Sequence, residues 1–244
     1  MRADASGLWL GGFFVAWALL LFGGFAFGPL DAGRQGHMPT WTRMLSSLVL
    51  AVAAWSWYAF LAAASAREFS LLVALGMTLG LAGDLVLARL LPLAQPVLIG
   101  MAAFGLGHIA YITAILRFGQ SRHLLAPVPL VTAWIVWLLI GVAGWYLVVF
   151  RGHVPTALHW AALPYALLLA STAGVATGLA LRTPVLVPVA IGAALFLASD
   201  LVLAGGLFGG IHVSFINDII WLTYGPGQML IVFGAILAAS MLPG

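Results

Sequence analysis

Cysteine and lysine are both absent from the 244 residues, and only 6% of the chain is charged, nine Arg against six Asp and Glu. Without cysteine there is no disulfide framework and no thiol nucleophile, and zinc would have to be held by His and carboxylates alone. His37, His123, His153, His159 and His212 fall mostly at loops or the edges of apolar runs, with no metal-ligand spacing, so no metal site is expected. The net charge of +3 is spread singly along the chain. That scatter excludes a basic patch for nucleic acid or a polybasic lipid-binding segment, and the pI of 9.8 carries little functional information. What remains is 64% hydrophobic with a mean hydropathy of +1.16, outside the range of a soluble domain. Lipid is the natural solvent of such a chain.

Runs of the roughly 20 apolar residues that a spanning helix needs recur along the sequence. The first, Gly7–Gly28, is too long for a signal-peptide core and is read as a span. A polar loop, Pro29–Trp41, carries Asp31, Arg34 and His37. Spans follow at about Thr42–Ser65, closed by Arg67 and Glu68; at Phe69–Leu91; and at Val97–Leu116, closed by Arg117–Arg122. The second half repeats the plan with Leu124–Phe150, Thr156–Leu181, Val185–Gly206 and a last span that begins between His212 and Asn217 and ends near Met241. The expected fold is an all-α integral membrane protein of eight transmembrane helices in one membrane domain. The arginines divide five to four between the two faces (Arg2, Arg67, Arg117, Arg122 and Arg182 against Arg34, Arg43, Arg89 and Arg151), so the positive-inside rule assigns no orientation.

Within these runs one word occurs twice, LAGDLVLA at Leu81–Ala88 and LASDLVLA at Leu197–Ala204, 116 positions apart. Extended backward, Val73–Ala88 and Val189–Ala204 share 11 of 16 residues. Because the match sets the third span on the seventh, the halves, approximately 7–122 and 123–244, are expected to be parallel four-helix repeats with Asp84 and Asp200 toward one membrane face. An ionised Asp in hydrocarbon costs about 2.5–3.5 kcal/mol on insertion scales. Two carboxylates in duplicated contexts therefore point to function ahead of helix capping.

Adding 116 to His108 reaches Tyr224, so each half sets a polar residue in the helix after its Asp helix. His108 and Tyr111 share one helix face, and Asn217, Trp221, Tyr224 and Gln228 form a stripe on the last helix. His108 alone is as readily a hydrogen-bonded core residue as a working one. Gly80, Gly83, Gly105 and Gly107 suit close helix packing. With Ser199, which precedes Asp200, the candidates for binding or orienting a substrate are His108, Tyr111, Asn217, Tyr224 and Gln228.

At these residues the chain resembles the YhhN/TMEM86 family of lysoplasmalogenases. The words that carry the likeness are L-x-G-D-x-x-L, Phe104–Tyr111 (FGLGHIAY), Gly192–Asp200 (GAALFLASD) and Thr223–Ile231 (TYGPGQMLI), in order from the third span onward. The resemblance implies an eight-span hydrolase that cleaves the vinyl-ether bond of lysoplasmalogen to a fatty aldehyde and glycerophosphoethanolamine or glycerophosphocholine, without a cofactor. It sets the family's two catalytic Asp on Asp84 and Asp200, its His on His108, and its Tyr and Gln on Tyr224 and Gln228. Family members usually carry Lys-Pro near the start of the second span. Here that region reads Pro39-Thr40-Trp41-Thr42-Arg43, which leaves open whether Arg43 replaces the Lys. The partners implied are a lysophospholipid with an alkenyl chain and the bilayer itself, with the bacterial inner membrane as the expected location.

The residue chemistry suits that reaction. Vinyl ethers hydrolyse by protonation of the alkenyl carbon, giving an oxocarbenium ion that water attacks, so the site needs one carboxylic acid and one carboxylate. The sequence does not assign the two roles, and the pair can titrate as a unit. The head group is expected among Tyr111, Asn217, Tyr224 and Gln228, with the alkenyl chain deeper in the bundle. Two rivals use similar residues. Intramembrane aspartyl proteases need Gly-x-Gly-Asp, but Leu81 occupies the first position. A proton-coupled transporter would use the same repeat and the same Asp/His relay without covalent chemistry.

Overall fold

In a bilayer every backbone N–H and C=O must find its partner within the protein, which leaves helices as the solution for runs this apolar. The computed structural model, which describes residues 3–31, 33, 35–60, 64–210, 213–240 and 242, has eight helices long and apolar enough to cross a membrane and no strand among those residues. They are α1 (Ala3–Phe27), α2 (Thr40–Phe60), α3 (Ala64–Leu87), α4 (Pro96–Ser121), α5 (Pro127–Gly144), α6 (Ala157–Ala180), α7 (Val187–Leu207) and α8 (Ile216–Ala239). The chain is a multi-pass helical membrane protein. Arg2, Arg34, His212 and Met241 of the sequence reading lie outside the described residues.

The span ends differ from those read off hydropathy where charge misled. Arg67 and Glu68 do not close the second span but sit in the first turns of α3, Arg67 over the Tyr58 ring and Glu68 3.5 Å from Arg117. Charged side chains of this kind reach the interface from inside a helix end, so charge marks depth in the membrane better than it marks a helix terminus. α4 correspondingly runs on past Arg117 to Ser121. Beyond Gly144 the fifth span continues as a π-helical turn, Trp145–Phe150, which brings Trp145 and Val149 into the interior.

The helices pack most closely as α3 on α4, α5 on α6 and α7 on α8. α6 and α8 are the most buried, while α1 and α5 present most of their apolar side chains, among them Leu8, Leu19, Val128 and Leu139, to the lipid. Glycine permits the closest crossings. A Cβ on Gly107 would lie 2.9 Å from the Gly76 carbonyl oxygen, and one on Gly192 would lie 2.5 Å from that of Gly227. α3 thus meets α4, and α7 meets α8, backbone to backbone.

Candidate active site

Asp84 lies one turn before the end of α3 and Asp200 about two turns before the end of α7. Both line a single cavity of about 320 Å³ at the membrane face where α2 and α8 begin. Its other walls include Thr40, Arg43, Leu87, Arg89, Phe104, Asn217, Trp221 and Tyr224. Phe104, Phe196 and Tyr224 pack edge to face, with centroids 5.0–6.1 Å apart, in an aromatic cluster beside it.

Each carboxylate is held by hydroxyl groups of neighbouring helices. Asp84 is buried, and its Oδ2 accepts from Ser47 of α2 at 2.6 Å and from Tyr224 of α8 at 2.9 Å. Behind Tyr224 the chain of bonds continues inward: Gln228 Nε2 donates to the Tyr224 hydroxyl (3.1 Å), and Tyr111 donates to Gln228 Oε1 (3.1 Å). The Gln228 amide orients these hydroxyls but is a poor proton carrier, so the string fixes Asp84 in place. Gly80 and Gly76 make room for it, since a Cβ would come within 2.7 Å of Gln228 Nε2 and 2.5 Å of the Tyr111 ring.

Asp200 is half-buried, and its Oδ2 accepts a short hydrogen bond from Tyr165 of α6. Pro164 directly precedes that tyrosine, and Pro226 lies between Tyr224 and Gln228. Each proline removes one helical N–H donor next to a group that holds an Asp. Ser199 is buried and gives its hydroxyl to the Phe196 carbonyl at 2.8 Å, with Asp200 Oδ1 at 3.3 Å.

A second space adjoins the first. An apolar cleft between α3, α4, α6, α7 and the π-helical turn is lined by Leu87, Val97, Met101, Trp145, Val149, Ala162, Tyr165, Leu197, Leu201 and Phe208, and Asp200 is part of its wall too. Asp200 therefore stands at the junction of a polar cavity and an apolar one.

Of the residues singled out from sequence, Asp84, Asp200, Asn217 and Tyr224 line the polar cavity. Tyr111 and Gln228 are buried behind Tyr224 and are not part of the lining, which includes Thr40, Arg43, Arg89 and Asn217. The apolar space adjoins the polar cavity and shares Leu87, Phe104, Asp200 and Leu203 with it. His108 is elsewhere: its Nδ1 donates to Thr172 Oγ1 (2.8 Å), a hydroxyl already donated to the Leu168 carbonyl, and its ring packs 4.5 Å from that of Phe196. Among the described residues Nε2 of His108 has no partner, and no group of three His, Asp or Glu stands close enough to hold a metal ion.

Sequence reasoning passed over Ser47, Tyr165 and Asp218. The last is buried in the first turn of α8, where it accepts from the backbone N–H of His37 (2.9 Å) and Met38 (3.2 Å) and pairs with His37 Nδ1 (2.9 Å). With Asn217 N–H donating to the Gln35 carbonyl (2.9 Å), these bonds tie the α1–α2 loop across the start of α8. That loop borders a further recess of about 530 Å³, between Gln35, Ser214 and Asn217, which shares Asn217, Leu203 and Ile220 with the aspartate cavity. The only available sequence signal was an acidic residue in the first turn of a helix, a common capping feature.

The sequence model of the YhhN family matches residues 38–235, most of the chain and all of the residues around both carboxylates. No curated protein and no solved structure matches.

Proposed function

Since the chain belongs to the YhhN family, we propose that it is an intramembrane hydrolase that cleaves the vinyl-ether bond of a lysoplasmalogen, with Asp84 and Asp200 as the catalytic pair. One observation carries the reading: Asp200 forms part of the wall of both the polar cavity and the apolar cleft. A lysoplasmalogen changes from polar to apolar at its vinyl ether, so a chain in the cleft and a head group in the cavity bring the reacting double bond to Asp200.

On this reading Asp200 donates its proton to the second carbon of the alkenyl chain, and the first carbon becomes an oxocarbenium ion. Asp84, held on the polar side by Ser47 and Tyr224, accepts a proton from the water that attacks that carbon. The hemiacetal then collapses to a fatty aldehyde and the glycerophospho-alcohol, and no cofactor takes part.

We also read the halves as a parallel repeat. Ser47 on α2 holds Asp84 on α3, as Tyr165 on α6 holds Asp200 on α7. The glycine crossings add a register: Gly76 and Gly192 are 116 apart, whereas Gly107 and Gly227 are 120 apart, which sets Phe104–His108 (FGLGH) on Tyr224–Gln228 (YGPGQ). In that register His108 is the counterpart of Gln228, one helical turn from the pairing with Tyr224 that a constant offset gives.

The test is direct. Purified protein in detergent, incubated with 1-alkenyl lysophosphoethanolamine, is expected to release free fatty aldehyde in a protein-dependent manner. Absence of aldehyde, together with pH-driven uptake into proteoliposomes, would put the two Asp in a transporter.

A further inference from the structure

Two arginines line the aspartate cavity: Arg43, which feels the charges of Asp218, Asp31 and Asp84 without standing at ion-pair distance from any of them, and the exposed Arg89. Arg43, on the first turn of α2, lies with its guanidinium carbon 5.6 Å from the centre of the Trp221 ring and donates from Nη2 to Thr40 Oγ1 at 3.0 Å. Its Nε is buried and has no hydrogen-bond partner. Arg89, just past the end of α3, lines the same cavity, with a left-handed backbone (φ 56°) that turns the chain there. Neither makes an ion pair among the described residues, where the ion pairs are His37 with Asp218 and Arg117 with Glu68. A half-buried guanidinium with an unused donor is costly to keep unless something accepts from it. Trp221 holds the guanidinium plane by a cation–π contact, which leaves its edge for a ligand.

We infer that Arg43 and Arg89 form an anion site at the mouth of the aspartate cavity that takes a phosphodiester, the head-group phosphate of a lysophospholipid. The planar fork of a guanidinium matches two phosphate oxygens, and two such forks lining one cavity suit a tetrahedral anion better than a carboxylate. In a lysophospholipid the glycerol unit separates the phosphate from the chain linkage at the first carbon. Arg43, in the first turn of α2, and Asp200, two turns inside α7, are different parts of the wall of one cavity. The site selects for the phosphate and sets how far the lipid enters, whichever amine the head group carries. This inference rests on the lipid reading above, but it concerns binding and can be tested apart from turnover.

The measurement uses purified full-length protein in a phosphate-free, non-ionic detergent, with affinity read from the ligand-induced rise in unfolding temperature. The probes are a non-hydrolysable 1-alkyl lysophosphocholine, 1-alkylglycerol of the same chain length, and inorganic phosphate. The lysophospholipid is expected to bind at least tenfold more tightly than the alkylglycerol. Arg43→Gln and Arg89→Gln should each weaken lysophospholipid binding about 10- to 100-fold, the worth of a charge-assisted hydrogen bond, and leave alkylglycerol binding alone. If a Gln variant does not fold, Arg43→Lys keeps the charge and loses the fork, and should show the same preference weakened. Equal affinity of the wild-type protein for the two lipids overturns the site, and so does binding in both folded Gln variants that matches wild type. Inorganic phosphate that stabilises as strongly as the lysophospholipid overturns the lipid assignment in favour of a free phosphate. Arginine-dependent lipid binding without aldehyde release keeps the anion site and removes the hydrolase reading; aldehyde release with unchanged binding in both variants does the reverse.

Discussion

Asp84→Asn and Asp200→Asn are each expected to reduce aldehyde release to background while the protein stays folded. Asn keeps the shape of Asp and can still accept hydrogen bonds, so at position 84 it continues to receive the Ser47 and Tyr224 hydroxyls that now reach Oδ2. At position 200 it still receives the Tyr165 hydroxyl. What Asn cannot do is give a proton to carbon or take one from water. Loss of a positioned acid or base lowers rates by about 10²–10⁴-fold, and in the proposed mechanism the two groups act in one sequence of steps, so either substitution alone is expected to be enough. The check pairs helical circular dichroism and a monodisperse elution profile with product assay. Substantial turnover in either folded variant would remove that Asp from the chemistry.

The second large effect falls on a residue that no repeat announces. Tyr165→Phe is expected to lower kcat by about 10²-fold with little change in KM, because Tyr165 donates to Asp200 from the wall of the apolar cleft. Phe fills the same space, so the bundle keeps its packing, but Asp200 loses the hydroxyl that aims it at the junction of cleft and cavity. Tyr224→Phe should be milder, since Asp84 retains the Ser47 hydroxyl at 2.6 Å. Steady-state kinetics on the two variants, with the split between kcat and KM, separates orientation of the acid from binding of the lipid. A larger loss for Tyr224→Phe than for Tyr165→Phe would reverse the assignment of the more dependent carboxylate.

The fold was legible because lipid leaves so few choices: a run of about twenty apolar residues has to be a helix, and eight runs make eight spans. Both carboxylates were legible through their repeated word. The partners that hold them were not. Ser47 is one of two adjacent serines in α2, and only the rotation of that helix against α3 selects it over Ser46, whose hydroxyl bonds the Arg43 carbonyl instead. Tyr165 carried one faint mark, a proline directly before a hydroxyl-bearing aromatic in mid-span. Arg43 stood out only as a possible replacement for the Lys that the family usually carries, and nothing in the sequence marked its place over Trp221. His108 shows the converse: a polar residue in mid-helix reads equally as core or site, and only the packing shows that Thr172, on a helix from the other half of the chain, takes up its hydrogen bond. In each case the missing information was which face of one helix meets which face of another, and apolar periodicity is a weak guide to that when both lipid and core are apolar.

The central claim is that Asp200 protonates carbon at the junction of cavity and cleft. It is tested most directly by running the reaction in D2O with 1-alkenyl lysophosphoethanolamine and weighing the aldehyde by mass spectrometry, with preformed aldehyde as the control for exchange. The wild-type protein should release aldehyde carrying one deuterium on the carbon next to the carbonyl, and Asp200→Asn should release none. Aldehyde without that deuterium, or the same labelled product from folded Asp200→Asn, would contradict it.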